Sequence, residues 1–178
     1  MLKKLMRGLC LAVALLTAGS VAQATTGPKV KLTLASGDVI IQLRPDLAPN
    51  TVKRFTELAA KGFYNGIVFH RVIDGFMAQT GDPTGTGMGG SGQKLKAEFS
   101  AEKHVRGTLS MARAADPDSA DSQFFICFAP ASFLDGKYTV FGQVVEGMEH
   151  VDNIKKGDSN DNGKVENPDK IISLTILP

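Results

Sequence analysis

Three histidines, a glycine-rich stretch, an acidic loop and two serines are the first places to look for chemistry in this chain. His70, His104 and His150 are scattered without ligand spacing, so no zinc site is expected. Gly85-Thr86-Gly87-Met88-Gly89-Gly90 fits the pattern GxGxxG. That pattern cradles a pyrophosphate only between a strand and a helix. Ser91 to Phe99 shows no convincing helical pattern, so the glycines read as a tight, folded loop. Asp158 to Gly163, with Asp169 at the twelfth position, resembles a calcium loop. Such a loop needs a helix on both sides, whereas Pro168 and a strand-like Ile171 to Leu177 follow it. Asn162-Gly163 reads as a turn. Ser119 and Ser122 have neither the glycine bracket nor an obvious base that a nucleophile requires. Cys127, inside the run Phe124 to Phe128, reads as a small buried hydrophobe. No metal, cofactor or covalent intermediate is expected.

The elements that would have to position any site are short. Val30, Leu32 and Leu34 alternate with Lys31 and Thr33, Ser36-Gly37-Asp38 interrupts, and Val39 to Leu43 resumes, a hairpin signature. Val52, Phe55, Leu58 and Ala59 recur at helical spacing, with Pro49 and Asn50 at the start and Gly62 past the end. Six short apolar runs follow: Ile67 to Val72, Phe76 to Thr80, Thr108 to Ala112, Gln123 to Phe128, Tyr138 to Val145 and Ile171 to Leu177. Met148, Val151 and Ile154 suggest a second helix. Eight strands with two helices predict an all-β antiparallel sandwich or barrel.

The N-terminal segment reads differently. Lys3, Lys4 and Arg7 precede an apolar run from Leu9 to Leu16, and Ala22-Gln23-Ala24 fits a cleavage site. Residues 1–24 are therefore expected to be a removable signal peptide, with 25–178 as a single domain. The apolar run is too short for a membrane span of about 20 residues. Cys10 opens that run instead of standing at the cleavage point, which argues against a lipid anchor. Without its three basic residues, the chain's 20 become 17 against 18 acidic, a net charge of −1. No block of like charge points to nucleic acid or an anionic membrane. Export to a periplasm is expected, with full secretion the other possibility, and a monomer is expected because no long exposed apolar stripe is evident.

Three segments together resemble the cyclophilin family: Phe69 to Asp82 (FHRVIDGFMAQTGD), Gly107 to Arg113 (GTLSMAR) and Ser122 to Cys127 (SQFFIC). Leu134 to Lys137, Val140 to Gly142 and Phe55 add to the match, which runs from about Val30 to Leu177. The resemblance implies a closed eight-stranded antiparallel β-barrel capped by two α-helices, with a proline-binding groove on its outside. It implies peptidyl-prolyl cis-trans isomerase (rotamase) activity on proline-containing, partly folded exported polypeptides, assisting their folding. Arg71, Gln79 and Phe76 would be catalytic. Met77, Gly87, Ala112, Arg113, Ala114, Gln123, Phe125, Phe133, Leu134 and Tyr138 would bind the substrate.

The residue types suit that reaction. At the twisted transition state the prolyl nitrogen becomes pyramidal and accepts a hydrogen bond it refuses in the planar amide, so a guanidinium aimed there favours the transition state. Three positions depart from common family residues: Phe133 stands in place of Trp, Tyr138 in place of His, and Arg113 in place of Asn. The first implies weak cyclosporin binding. Arg113 is tolerated if its contact is through backbone, and His70 is expected to be structural. The alternative reading is a chaperone module that grips proline segments with little turnover.

Overall fold

The computed structural model describes residues 27–178. The expected signal peptide, residues 1–24, lies outside the described residues. Eight strands form one antiparallel sheet: β1 (Lys29–Leu34), β2 (Gly37–Leu43), β3 (Arg71–Ile73), β4 (Met77–Thr80), β5 (Thr108–Met111), β6 (Phe124–Cys127), β7 (Val140–Glu146) and β8 (Ser173–Ile176). Their spatial order is β3-β4-β6-β5-β7-β2-β1-β8. Two helices, α1 (Pro49–Ala60) and α2 (Met148–Asp152), accompany it.

The period-2 pattern explains the hairpin. Val30, Leu32 and Leu34 on β1 and Val39, Ile41 and Leu43 on β2 all turn inward and are buried. α1 buries Thr51, Val52, Phe55, Leu58 and Ala59 on one face. Its Phe55 ring lies 5.0–5.3 Å from the rings of Tyr64, Phe124 and Phe141, joining the helix to the sheet interior. No side chain of α1 caps its own N-terminus. Glu98 does so from another loop, accepting from the backbone N–H of Asn50 (3.0 Å) and Thr51 (2.8 Å).

The expected closed barrel is corrected: the sheet is an open half-barrel, because the end strands β3 and β8 share no ladder. Isolated contacts bridge the gap, with Val68 opposite Lys170 and the Phe69 N–H donating to the Asp169 carbonyl. Pro168 has no N–H to offer, and Asn167 has a left-handed φ of 50°, so the facing stretch cannot continue a regular ladder. The apolar run Ile67 to Val72 consequently becomes strand only from Arg71. Among the described residues, no helix is long and apolar enough to cross a membrane, and no cluster of His, Cys, Asp and Glu could hold a metal ion.

Candidate active site

The outer face of the sheet aligns four side chains. Arg71 on β3 pairs with Gln79 on β4, Gln79 with Phe125 on β6, and Phe125 with Ser110 on β5. Strand alternation sends Ala78, Thr80, Phe124 and Ile126 inward and Met77, Gln79, Phe125 and Cys127 outward. The result is a cross-strand row with a cation at one end and an aromatic ring near the other.

The polar half is a directed chain of hydrogen bonds. Arg71 Nη1 donates to Gln79 Oε1 (3.2 Å), and Gln79 Nε2 donates to Gln123 Oε1 (2.9 Å). Gln123 Nε2 donates to the carbonyls of Gly87 and Gly89 (2.9 Å each). Because carbonyls only accept, they fix the orientation of the Gln123 amide, which fixes Gln79, which leaves an oxygen facing Arg71. The glycine loop is itself fastened by Asp82. That carboxylate accepts from Gly87 N (2.6 Å), Gly89 N (3.1 Å) and Thr84 N (2.8 Å). Burial works to raise the Asp82 pKa, but these donors outweigh it and hold the carboxyl at about 2. Gly87 has a φ of 87°, and a Cβ there would sit 3.5 Å from the His70 ring. His70 is buried beneath the loop with neither ring nitrogen bonded, and burial lowers its pKa, with Asp82 opposing and Arg71 reinforcing that shift. A neutral, packed imidazole is structural. Burial also lowers the Arg71 pKa, though a guanidinium stays protonated.

The apolar half is a small cluster of Met77, Phe125, Cys127, Ala131 and Leu134, with Ile73, Phe76, Ala112 and Tyr138 packed against it. The Phe125 ring stacks on His104 at 6.3 Å and meets Tyr138 edge-on at 6.2 Å. His104 is held at both ring nitrogens, by Asp135 Oδ1 and Ser110 Oγ (3.0 Å each). The order Ser–His–Asp invites a hydrolase reading, but Ser110 is fully buried and its hydroxyl donates to the Thr139 carbonyl. It is a support for Phe125, not a nucleophile. Ser119 and Ser122 are likewise spent on the carbonyls of Asp116 and Gly81.

The thirteen residues expected from sequence converge on two adjoining depressions. One of about 250 Å3 is lined by Arg71, Phe76, Met77, Gln79, Ala112, Arg113, Phe125, Phe133, Leu134 and Tyr138. Another of about 400 Å3 takes in Gly87, Ala114 and Gln123, sharing Gln79, Ala112 and Arg113 with the first. Phe133 is 62% exposed at the rim, with its ring 5.3 Å from Phe76. The Arg113 side chain is occupied elsewhere, donating to the carbonyls of Lys137, Ala114 and Ala115 and lying 4.5 Å over the Tyr138 ring. Most of its guanidinium donors are thus spent within the protein. Sequence reasoning assigned no part to Asp82, His104, Ser110, Asp135 or Asn162. Asp82, Ser110 and Asp135 stood inside segments that match the family, but His104 and Asn162 show their part only through contacts made on folding.

Comparison with known proteins decides what this groove belongs to. The family model described as cyclophilin type peptidyl-prolyl cis-trans isomerase/CLD matches residues 29–176. The chain belongs to the cyclophilin family. A probable peptidyl-prolyl cis-trans isomerase of Brucella suis is 54% identical over 159 residues, covering 83% of this chain and 81% of that protein. A peptidyl-prolyl cis-trans isomerase of Helicobacter pylori is 48% identical over 126 residues, covering 68% and 77%. The crystal structure of a cyclophilin from Cryptosporidium parvum superposes with a TM-score of 0.78 at 34% identity, covering 85% of this chain and 98% of that one. The same cyclophilin was also crystallised in the presence of the dipeptide Ala-Pro. This cyclophilin is thus a peptidyl-prolyl cis-trans isomerase, and its reaction rotates X–Pro bonds without making or breaking a covalent bond.

Proposed function

We propose that this isomerase takes proline-containing segments of partly folded exported polypeptides into the outer groove, with Arg71 as the group that lowers the rotation barrier. The observation carrying this reading is the row Arg71–Gln79–Phe125, which sets a permanent cation beside an apolar floor. The proline ring rests on Phe76, Met77, Phe125 and Leu134, which exclude water. Gln79 and the backbone of Arg113 hold the flanking carbonyls while the other side of the bond turns. Arg71 uses one N–H on each of its three nitrogens within the protein, so one remains on each terminal nitrogen. Those two are free for the prolyl nitrogen as it pyramidalises.

Magnitudes divide the labour. The amide barrier is ~18–20 kcal/mol, and a charge-assisted hydrogen bond supplies about 1.5–3 kcal/mol. A 10⁴-fold acceleration requires about 5.5 kcal/mol, so desolvation by the apolar floor must supply the remainder. Exchange of an Ala-Pro peptide followed by NMR tests the assignment. Arg71→Ala is expected to lower catalysed exchange by roughly 10- to 100-fold, and an unchanged rate would sink the assignment of Arg71.

The reading extends to a periplasmic monomer released from a signal peptide after Ala24, with weak cyclosporin binding because Phe133 lacks an indole N–H. N-terminal sequencing of the exported protein is expected to begin at Thr25.

A further inference from the structure

We infer that Asn162 is a positioning residue for the isomerase reaction, clamping the catalytic guanidinium from the side opposite Gln79; this rests on the reading of Arg71 given above. Asn162 belongs to a loop 91 residues away in sequence, yet it offers Arg71 two acceptors at once. Its backbone carbonyl accepts from Nε at 3.0 Å, and its side-chain Oδ1 accepts from Nη2 at 2.9 Å. Gln79 takes Nη1. All three nitrogens of the guanidinium are therefore tied, and its plane is fixed. A long side chain that would otherwise sample many rotamers arrives in the groove already aimed, so little ordering cost falls on the transition state.

The loop is built for this approach. Val72 N donates to the Gly163 carbonyl (2.8 Å) and Gly157 N donates to the Val72 carbonyl (2.9 Å), docking the loop along the free edge of β3. The approach is close enough that a Cβ on Gly163 would come within 2.5 Å of Ile73 Cγ1, and one on Gly157 within 1.9 Å of the Gly163 carbonyl oxygen. Asn162 itself adopts a left-handed φ of 51°. That backbone turns its carbonyl and its side chain toward the same partner, and asparagine tolerates it better than most residues. The turn dipeptide Asn162-Gly163 thus has two separate tasks. Glycine lets the loop come near, and asparagine holds the arginine.

The test compares Asn162→Gly with Asn162→Asp in the intact mature chain, with Arg71→Ala alongside. Glycine keeps the left-handed backbone and its carbonyl but removes Oδ1, whereas aspartate keeps an oxygen at that place. For Asn162→Gly, kcat is expected to fall about tenfold while KM stays within about twofold. The Arg71 Nε–H resonance should exchange faster with solvent. Asn162→Asp is expected to restore kcat to within about threefold of wild type, because a charge-assisted bond is regained. Thermal melts of each variant confirm that the folded protein is being compared. A folded Asn162→Gly variant with wild-type kcat and an unchanged Arg71 signal overturns the clamp. So does a change confined to KM, or a loss of kcat that aspartate fails to restore. If Arg71→Ala leaves turnover intact, the assignment of Arg71 itself fails, and the clamp falls with it.

Discussion

Strands β4 and β6 have two faces lined by buried side chains, yet only one borders the proposed site. On the inner face Ala78, Phe124 and Ile126 meet α1 and the facing strands, so protein covers them from every side. On the outer face Met77, Phe125 and Cys127 are covered in part by Ala131, Leu134 and Tyr138, with His104 stacked on Phe125, and the remaining opening is the groove. Phe124 and Phe125 are adjacent, 0% and 5% exposed, and differ chiefly in what lies above them. The difference teaches that function here needs no special strand. It needs a second apolar face left incompletely covered, with a fixed polar chain along its edge.

Substitution of those neighbouring rings is the largest test of that contrast. Phe124→Ala should destabilise the protein by about 3–5 kcal/mol, read by denaturant unfolding, while each folded molecule keeps near-normal turnover. Phe125→Ala should cost less stability but lower kcat/KM, since its cavity opens into the groove. If both variants lose stability equally and turnover survives in both, the faces are not functionally distinct.

A smaller effect would sharpen the comparison through Asp82, which serves the outer face alone. Its carboxyl sits at about 2 in the folded protein, below its ordinary value of 3.8. A depressed folded pKa stabilises above the unfolded value and loses that contribution as pH falls through the folded one. The fully buried Asp82 should therefore contribute on the order of 2 kcal/mol above pH ~4, vanishing toward pH ~2. Unfolding of wild type and Asp82→Asn across that window should converge at the acid end. Parallel curves would remove Asp82 as the loop's anchor.

The smallest expected change is at Cys127, an outer-face residue with no opening above it. Burial pushes its thiol up to about 12. Cys127→Ala should cost about 1 kcal/mol and leave turnover unchanged. A marked loss of activity would mean that the groove extends deeper than its walls indicate.

Much of this arrangement was legible in the residues. The hairpin of β1 and β2 follows from simple alternation, because one face is dry and the other wet. α1 follows from Val52, Phe55 and Leu58 at helical spacing. Neither periodicity nor family likeness could reveal the open seam. Ile67 to Val72 looks like strand, and its failure to pair depends on Asn167 and Pro168, which face it from a distant part of the chain. Asn162 and His104 were invisible for a related reason. A turn dipeptide and an isolated histidine carry no local sign of a partner, and the contacts that define them exist only once the chain has folded.

The loop that ties down Arg71 has a consequence for timing. A ribosome delivers the chain N-terminus first, so the arginine emerges long before residues 157–164, and its apolar floor is completed only at Leu134. β8, which must lie beside β1, comes later still. A nascent chain therefore already carries the groove's ingredients but cannot hold its key side chain in place. Fixing that arginine requires that residues 157–164 have docked along β3.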